Sequence, residues 1–151
     1  MAILGKDCKL YYSTSPLTGT TGGEPADLTW VEIDNVKDLT LNMSKGEADV
    51  STRGSSWKKT RATLKEASVD FSILWLTTDA AFTALQNAWL NDTAITIAVM
   101  DGDIDTTASE GLCANMDVFA FTRNEQLVDG VTADVNIKPR EYAEWYTVAA
   151  S

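Results

Sequence analysis

Three aspartates at alternate positions, Asp101, Asp103 and Asp105 in the stretch DGDIDTTASEG, are the densest set of ligand-type or acid/base groups in the chain. Alternating carboxylates of this kind open a calcium loop, and a close pair such as Asp101 and Asp103 is the equipment of a glycosidase. Both readings fail on the surrounding residues. Thr106 stands where a calcium loop needs its sharp-turn glycine, and Leu112 where it needs a bidentate glutamate. The flanks read as strands rather than helices, and nothing apolar lies close in sequence to raise one carboxyl pKa. What is left is a flexible, solvated connector. The chain has no histidine. That removes Ser-His and Cys-His nucleophilic sites, the usual neutral-pH acid/base and the commonest transition-metal ligand together. No Gly-rich phosphate loop occurs, and Cys8 and Cys113 lack zinc spacing. The expectation is a protein that is not an enzyme, with no catalytic residue, no metal site and no cofactor.

A second cluster carries a different chemistry. Arg53, Lys58, Lys59 and Arg61 surround a lone tryptophan, Trp57, in the polar Gly/Ser-broken arm 44–61, which also holds Glu47 and Asp49. From Ser44 to Glu66 the net charge is +3, whereas the rest of the chain carries −13, for a total of −10. A cationic limb on an acidic body is suited to gripping an acidic surface on a neighbouring copy. Trp57 beside two lysines can also stack on a nucleobase, but single-strand binders present several aromatics. An interface anchor suits it better, because Trp and Arg dominate the energetics of protein contacts. A third reading folds Trp57 back onto its own domain. The acidic body opposes tight nucleic-acid binding, which needs cations near the phosphates. It does not oppose a surface past which nucleic acid slides.

The elements that must position this arm are mostly strands. At 151 residues the chain reads as one domain, 1–151, large enough for a core without staples. A first strand is expected over Leu4–Tyr12 with Cys8, Leu10 and Tyr12 on one face, both cysteines being read as buried thiols within strands. The Gly/Pro/Ser/Thr-rich stretch 13–27 is a surface loop, and short strands follow near Thr29–Ile33 and Val36–Met43. After the arm, Val69, Phe71, Ile73 and Trp75 alternate with Ser68, Asp70 and Ser72, and Leu64 is out of step, so a bulge is expected near Lys65–Ala67. Thr77, Thr78 and Asp79 cap a helix at about 78–91 whose stripe is Phe82, Leu85 and Trp89 with Ala81 and Ala88 beside them. Strands are expected at Thr93–Met100 and Leu112–Arg123, the latter apolar on both faces. A turn near Asp129–Gly130 opens the cleanest alternation: Val131, Ala133, Val135 and Ile137 against Thr132, Asp134, Asn136 and Lys138. Pro139 is expected to stop it. The aromatic tail, with Tyr142, Trp145 and Tyr146, docks on the core or on a neighbour. The fold class is mainly β, a β-sandwich or barrel of about seven or eight strands with one flanking α-helix.

These segments resemble a known family. GEADVSTRGSSWKKTRATLKEASVDFSILW, the TTDAAFTALQNAW helix, the AITIAVMDG strand and the closing DGVTADVNIKPREY are similar to the major tail tube protein of long-tailed (siphovirus-type) bacteriophages. The likeness runs from about Trp30 to Tyr142, and the DVSTRG run with Trp57 after it is its most telling part. It implies a tail-tube-type β-sandwich whose copies close into hexameric rings that stack into a tube, part of each sheet joining its neighbours' in a lumenal barrel. DNA would pass through that lumen without specific binding, and other tail proteins would meet the tube ends. On this reading Glu47, Asp49, Arg53, Trp57, Lys58, Lys59 and Arg61 belong to an inter-subunit or inter-ring arm, and Asp70 and Asp134 face the lumen. The resemblance also implies a virion tail component assembled in the bacterial host cytoplasm. MAILGKDCKLYY lacks the features of a secretory signal and no apolar run is long enough for a membrane anchor. The inner tube of a contractile injection machine or of a gene transfer agent shares the ring geometry. The alternative of another class is a soluble carbohydrate- or peptide-binding β-sandwich, with Tyr11, Trp57 and Tyr146 lining a groove.

Overall fold

The computed structural model describes residue 5 and residues 8–18, 23–125, 127 and 130–149. Seven strands, one α-helix and a short 3-10 turn at Pro25–Asp27 occur among them: β1 (Lys9–Ser13), β2 (Val31–Glu32), β3 (Val36–Asp49), β4 (Thr60–Leu74), α1 (Ala80–Leu90), β5 (Ile95–Met100), β6 (Glu110–Asn124) and β7 (Thr132–Thr147). They form one sheet in the order β2-β1-β5-β6-β7-β4-β3 with every neighbouring pair antiparallel.

The two longest partners, β6 and β7, divide this sheet into halves. β5 pairs with β6 only as far as Met116, and β4 pairs with β7 only from Thr132 to Ile137. One half is therefore β2-β1-β5 with the start of β6 and the end of β7. The other is the end of β6, the start of β7, β4 and β3. Register shifts between Cys113 and Met116 and between Val118 and Ala120 mark the crease, since unpaired residues bend and twist a ladder. The fold-over puts Leu10, Tyr12, Ile97 and Met116 of the first half in one core with Val69, Phe71, Ile73, Val135 and Ile137 of the second.

Helix α1 closes this core. The Asp79 side chain accepts a hydrogen bond from the Phe82 amide at 3.4 Å, the N-cap expected from its type. Phe82 and Leu85 are fully buried, and Phe82 lies edge-on to Trp75 at 4.7 Å and to Phe121 at 5.6 Å. Trp89 departs from the expected stripe and is 45% exposed, because Ala88 takes the inward position in the last turn.

A second cluster fills the other face of the first half: Tyr11, Leu17, Ala98, Met100, Ile104 and Cys113, with Tyr146 and Val148 packed on it. Asn115 clips the covering loop in place. Its side chain accepts from the Leu17 amide at 2.9 Å and from the Thr96 hydroxyl at 2.6 Å, and donates to the Leu17 carbonyl at 2.8 Å. Asn115→Ala is expected to lower unfolding stability by about 2–3 kcal/mol, since it strands buried polar groups, and denaturant titration checks it.

Several expectations are corrected here. The first strand is paired from Lys9 to Ser13, and the residues before 5 lie outside the described ones, as does Asp129 of the expected turn. Cys8 is exposed ahead of β1, whereas Cys113 is buried. Pro139 does not end β7, which runs on to Thr147. It falls where β4 has already left, so one side of the strand is an edge, the setting that tolerates proline. The acidic loop is also more than a loose connector. Ile104 plugs the second cluster and donates its amide to the Tyr11 hydroxyl at 3.2 Å, and Asp101 accepts from the Glu110 amide at 2.9 Å.

Burial pushes the Cys113 thiol from 9.0 up to about 12, helped by the charge of Glu144. Burial also raises Tyr11 and Tyr146. In the unfolded chain these groups ionise near their ordinary values. Their contribution to stability is therefore complete below about pH 9 and is lost as pH climbs toward 12. Thermal unfolding midpoints measured across that window are expected to fall steadily.

Candidate functional site

Expected to be a loop, the arm 44–61 is mostly ribbon. β4 leaves β7 beyond Val69, yet β3 and β4 stay paired out to Asp49 opposite Thr60. From Asn42 and Ser68 outward the two strands have only each other. At about 3.4 Å per residue this ribbon projects roughly 25 Å before its tip. The true loop is Val50–Lys59. It is closed by the Val50 amide on the Lys59 carbonyl at 3.0 Å and the Lys59 amide on the Ser51 hydroxyl at 2.8 Å. The bulge lies at Thr63–Leu64 opposite Gly46, just short of the expected stretch. A Cβ at Gly46 would meet the Thr63 hydroxyl, which would have to turn aside.

The sequence-predicted arm residues all belong to this ribbon and all are exposed. Glu47 stands opposite Ala62, and Arg61 opposite Ala48. Asp49 accepts from the Ser51 amide at 2.9 Å, and hydrogen bonds from Ser51 hold its carboxyl below the usual range. Arg53 sits in the tip turn, with Trp57, Lys58 and Lys59 following. Trp57 is 79% exposed, which overturns its folding back onto its own domain. Ion pairs among the described residues are Lys9–Glu32, Arg123–Glu125 and Arg140–Asp117, so none uses an arm cation. Met43, Val50 and Leu64 are exposed on the same ribbon. A two-stranded hairpin alone is marginal in water. One that also shows apolar side chains and unpaired cations is built to be covered.

The second candidate surface is the outer face of the half-sheet β6-β7-β4-β3. Asp38, Thr40, Asp70, Ser72, Thr122, Asp134 and Asn136 line a shallow depression across all four strands. Asp70 accepts from the side-chain amides of Asn42, at 3.2 Å, and Asn136. Asp134 accepts from the Ser72 hydroxyl and the Asn124 amide, each at 2.7 Å. Asp70 and Asp134 are thus brought together on one acidic face, each held by neutral donors. Asp38 and the asparagine donors were missed in the sequence. Asn42, Asn124 and Asn136 sit at polar positions of strands, but only the cross-strand register shows which carboxylate each one meets. Among the described residues both margins of this half-sheet are open: the outer edge of β3 along its length, and β6 beyond Met116.

The groove of aromatics expected for a ligand-binding module does not form. Tyr11 is buried, Tyr146 packs on the same inner cluster, and Trp57 stands at the arm tip. Among the described residues no group of three His, Cys, Asp or Glu side chains is placed to hold a metal ion.

No protein-family model and no curated protein matches the chain. Solved structures match it closely in shape. A chain of the tail of an empty gene transfer agent particle, refined helically with C6 symmetry, superposes with a TM-score of 0.73 at 10% identity, covering 97% of this chain and 100% of that one. The SPP1 tail tube gives 0.74 at 10% identity over 99% and 81%. A chain of the anti-feeding prophage baseplate gives 0.58 at 4% identity over 99% of each. The fold is therefore that of tail tube chains, over nearly the whole length.

Proposed function

We propose that this chain is a virion structural protein, the repeating subunit of a tail tube through which DNA is delivered. The observation that carries the reading is the four-stranded half-sheet, open at both margins and acidic on its outer face, within a fold shared with a C6-symmetric tail. An open β3 edge and an open β6 edge on the same unit are complementary surfaces of one kind of copy. Pairing one to the other repeats around an axis and closes when the rotation closes. Six copies give a ring whose lumen is the Asp70–Asp134 face.

That face suits passage of DNA. Carboxylates repel phosphate, and the polar side chains of the depression are tied to one another by hydrogen bonds, so a polyanion slides without specific binding. The arm projects from the same half-sheet and reaches the next protomer or the next ring. There Arg53, Lys58, Lys59 and Arg61 meet carboxylates and Trp57 fills a pocket. Glu47 and Asp49 flank them on β3. Other tail proteins cap the two ends, and assembly takes place in the bacterial host cytoplasm. No helix among the described residues is long and apolar enough to cross a membrane. The protein works by association and needs no chemistry.

Sedimentation velocity of the purified chain over a wide concentration range tests this. A boundary at the mass of six copies, with faster material growing in as concentration rises, is the expected result. A single boundary at the mass of one copy throughout overturns the proposal.

A further inference from the structure

We infer that the arm tip of one copy docks on the C-terminal end of helix α1 of another; this rests on the tail-tube reading and names the surface that receives the arm. The helix sequence, AAFTALQNAWL, has no charged residue. A surface helix normally turns charged or polar groups to water. Here Ala81, Phe82, Leu85 and Ala88 face the core and Thr83 and Asn87 meet water, yet the last turn also exposes Trp89 and Leu90, 45% and 58%. An exposed Trp–Leu pair at the end of a short helix is an apolar seat.

The seat is also negative. The last turn carries no basic residue to meet its carbonyls, which together act as about half a negative charge. Next to it, Asp92, Asp117 and Glu141 gather round Arg140, and with Lys138 opposite Asp117 in the ladder the group keeps a net charge of −1. The Arg140 guanidinium is committed to Asp117 at 2.6 Å and to the Asp92 carbonyl at 3.3 Å. It is therefore not free to answer the remaining charge.

The arm tip is the complement on both counts. It presents an exposed indole with Arg53, Lys58 and Lys59 beside it and no ion pair within its own chain. Trp57 would lie against Trp89 and Leu90 while the lysines meet the helix end and its carboxylates. A groove of 860 Å³ at the base of the ribbon is the wrong sign to receive the tip. Lys45, Lys65 and Lys138 outnumber Glu66 and Glu144 there. Tip and seat are different surfaces, so their contact is head-to-tail and propagates from copy to copy, as a stack requires.

The test is a cysteine pair across the contact, Ser56→Cys with Asn91→Cys, in a Cys8→Ser background. Cys113 stays silent, being buried with its thiol pushed up to about 12. Mild oxidation of assembled tubes is expected to give a ladder of covalent multimers on denaturing gels, absent from either single-cysteine chain. Tubes that form normally and give no ladder overturn this docking and leave the tail-tube reading standing. A chain that forms neither rings nor tubes removes both. A charge exchange covers the case in which the cysteine pair fails to fold. Asp92→Asn with Glu141→Lys turns the seat from net −1 to net +2, and is expected to restore at least tenfold the tube yield lost with Lys58→Glu/Lys59→Glu. No recovery, with the quadruple variant folded, overturns the proposal.

Discussion

Lys58→Glu combined with Lys59→Glu is expected to abolish tube growth while the isolated chain unfolds at nearly the wild-type temperature. Both lysines are exposed at the tip of a ribbon that lies outside the core, with no ion pair inside the chain. Surface changes of this kind shift stability by no more than about 0.5 kcal/mol, or roughly 1–2 °C for a domain of this size. Assembly is different, because the reversal replaces attraction by repulsion at every repeat of the contact. Trp57→Ala should act in the same direction, as truncating a buried interface tryptophan commonly loses 2 kcal/mol or more, about thirtyfold in affinity. Raised salt should weaken the wild-type assembly too, since the Debye length falls from about 10 Å at 0.1 M to about 3 Å at 1 M. Differential scanning calorimetry beside turbidity separates the two effects. A large drop in the unfolding temperature would mean that the tip belongs to the core.

Phe82→Ala should show the reverse pattern, a chain that loses its own stability first. Phe82 is fully buried and is the ring that joins α1 to both Trp75 and Phe121. Removing it opens a cavity between the helix and both halves of the sheet. Such truncations lower stability by about 3–5 kcal/mol, a fall on the order of 10 °C in the unfolding temperature. Trp89→Ala, one helical turn beyond Leu85 and half exposed, should change the midpoint by no more than about 2 °C. Calorimetry of the two variants side by side checks that α1 is held by its inward stripe alone.

How much of this was legible depended on whether a residue had a buried face. Val69, Phe71 and Ile73 alternate because one side of β4 meets the core, and Asp70 fell on the polar side for the same reason. Asp79 announced the helix start by its type. The outer ribbon gave no such signal. Both of its faces meet water, so Ser44–Asp49 carries no period-two pattern, and paired strand read as loop. Pro139 misled because a proline forbids a strand interior, yet a long strand that has lost one neighbour is an edge at that point. Trp89 looked like part of the stripe by spacing alone, and only the competition with Ala88 for the inward position decided otherwise. The grouping of Asp70 with Asp134 needs the register of β4 on β7, which no local pattern contains.

Electron micrographs of the purified wild-type chain test self-assembly most directly. Long tubes whose end-on averages show six-fold rings around a central channel are the expected result. Particles of one copy at every concentration, salt and pH tried would contradict it.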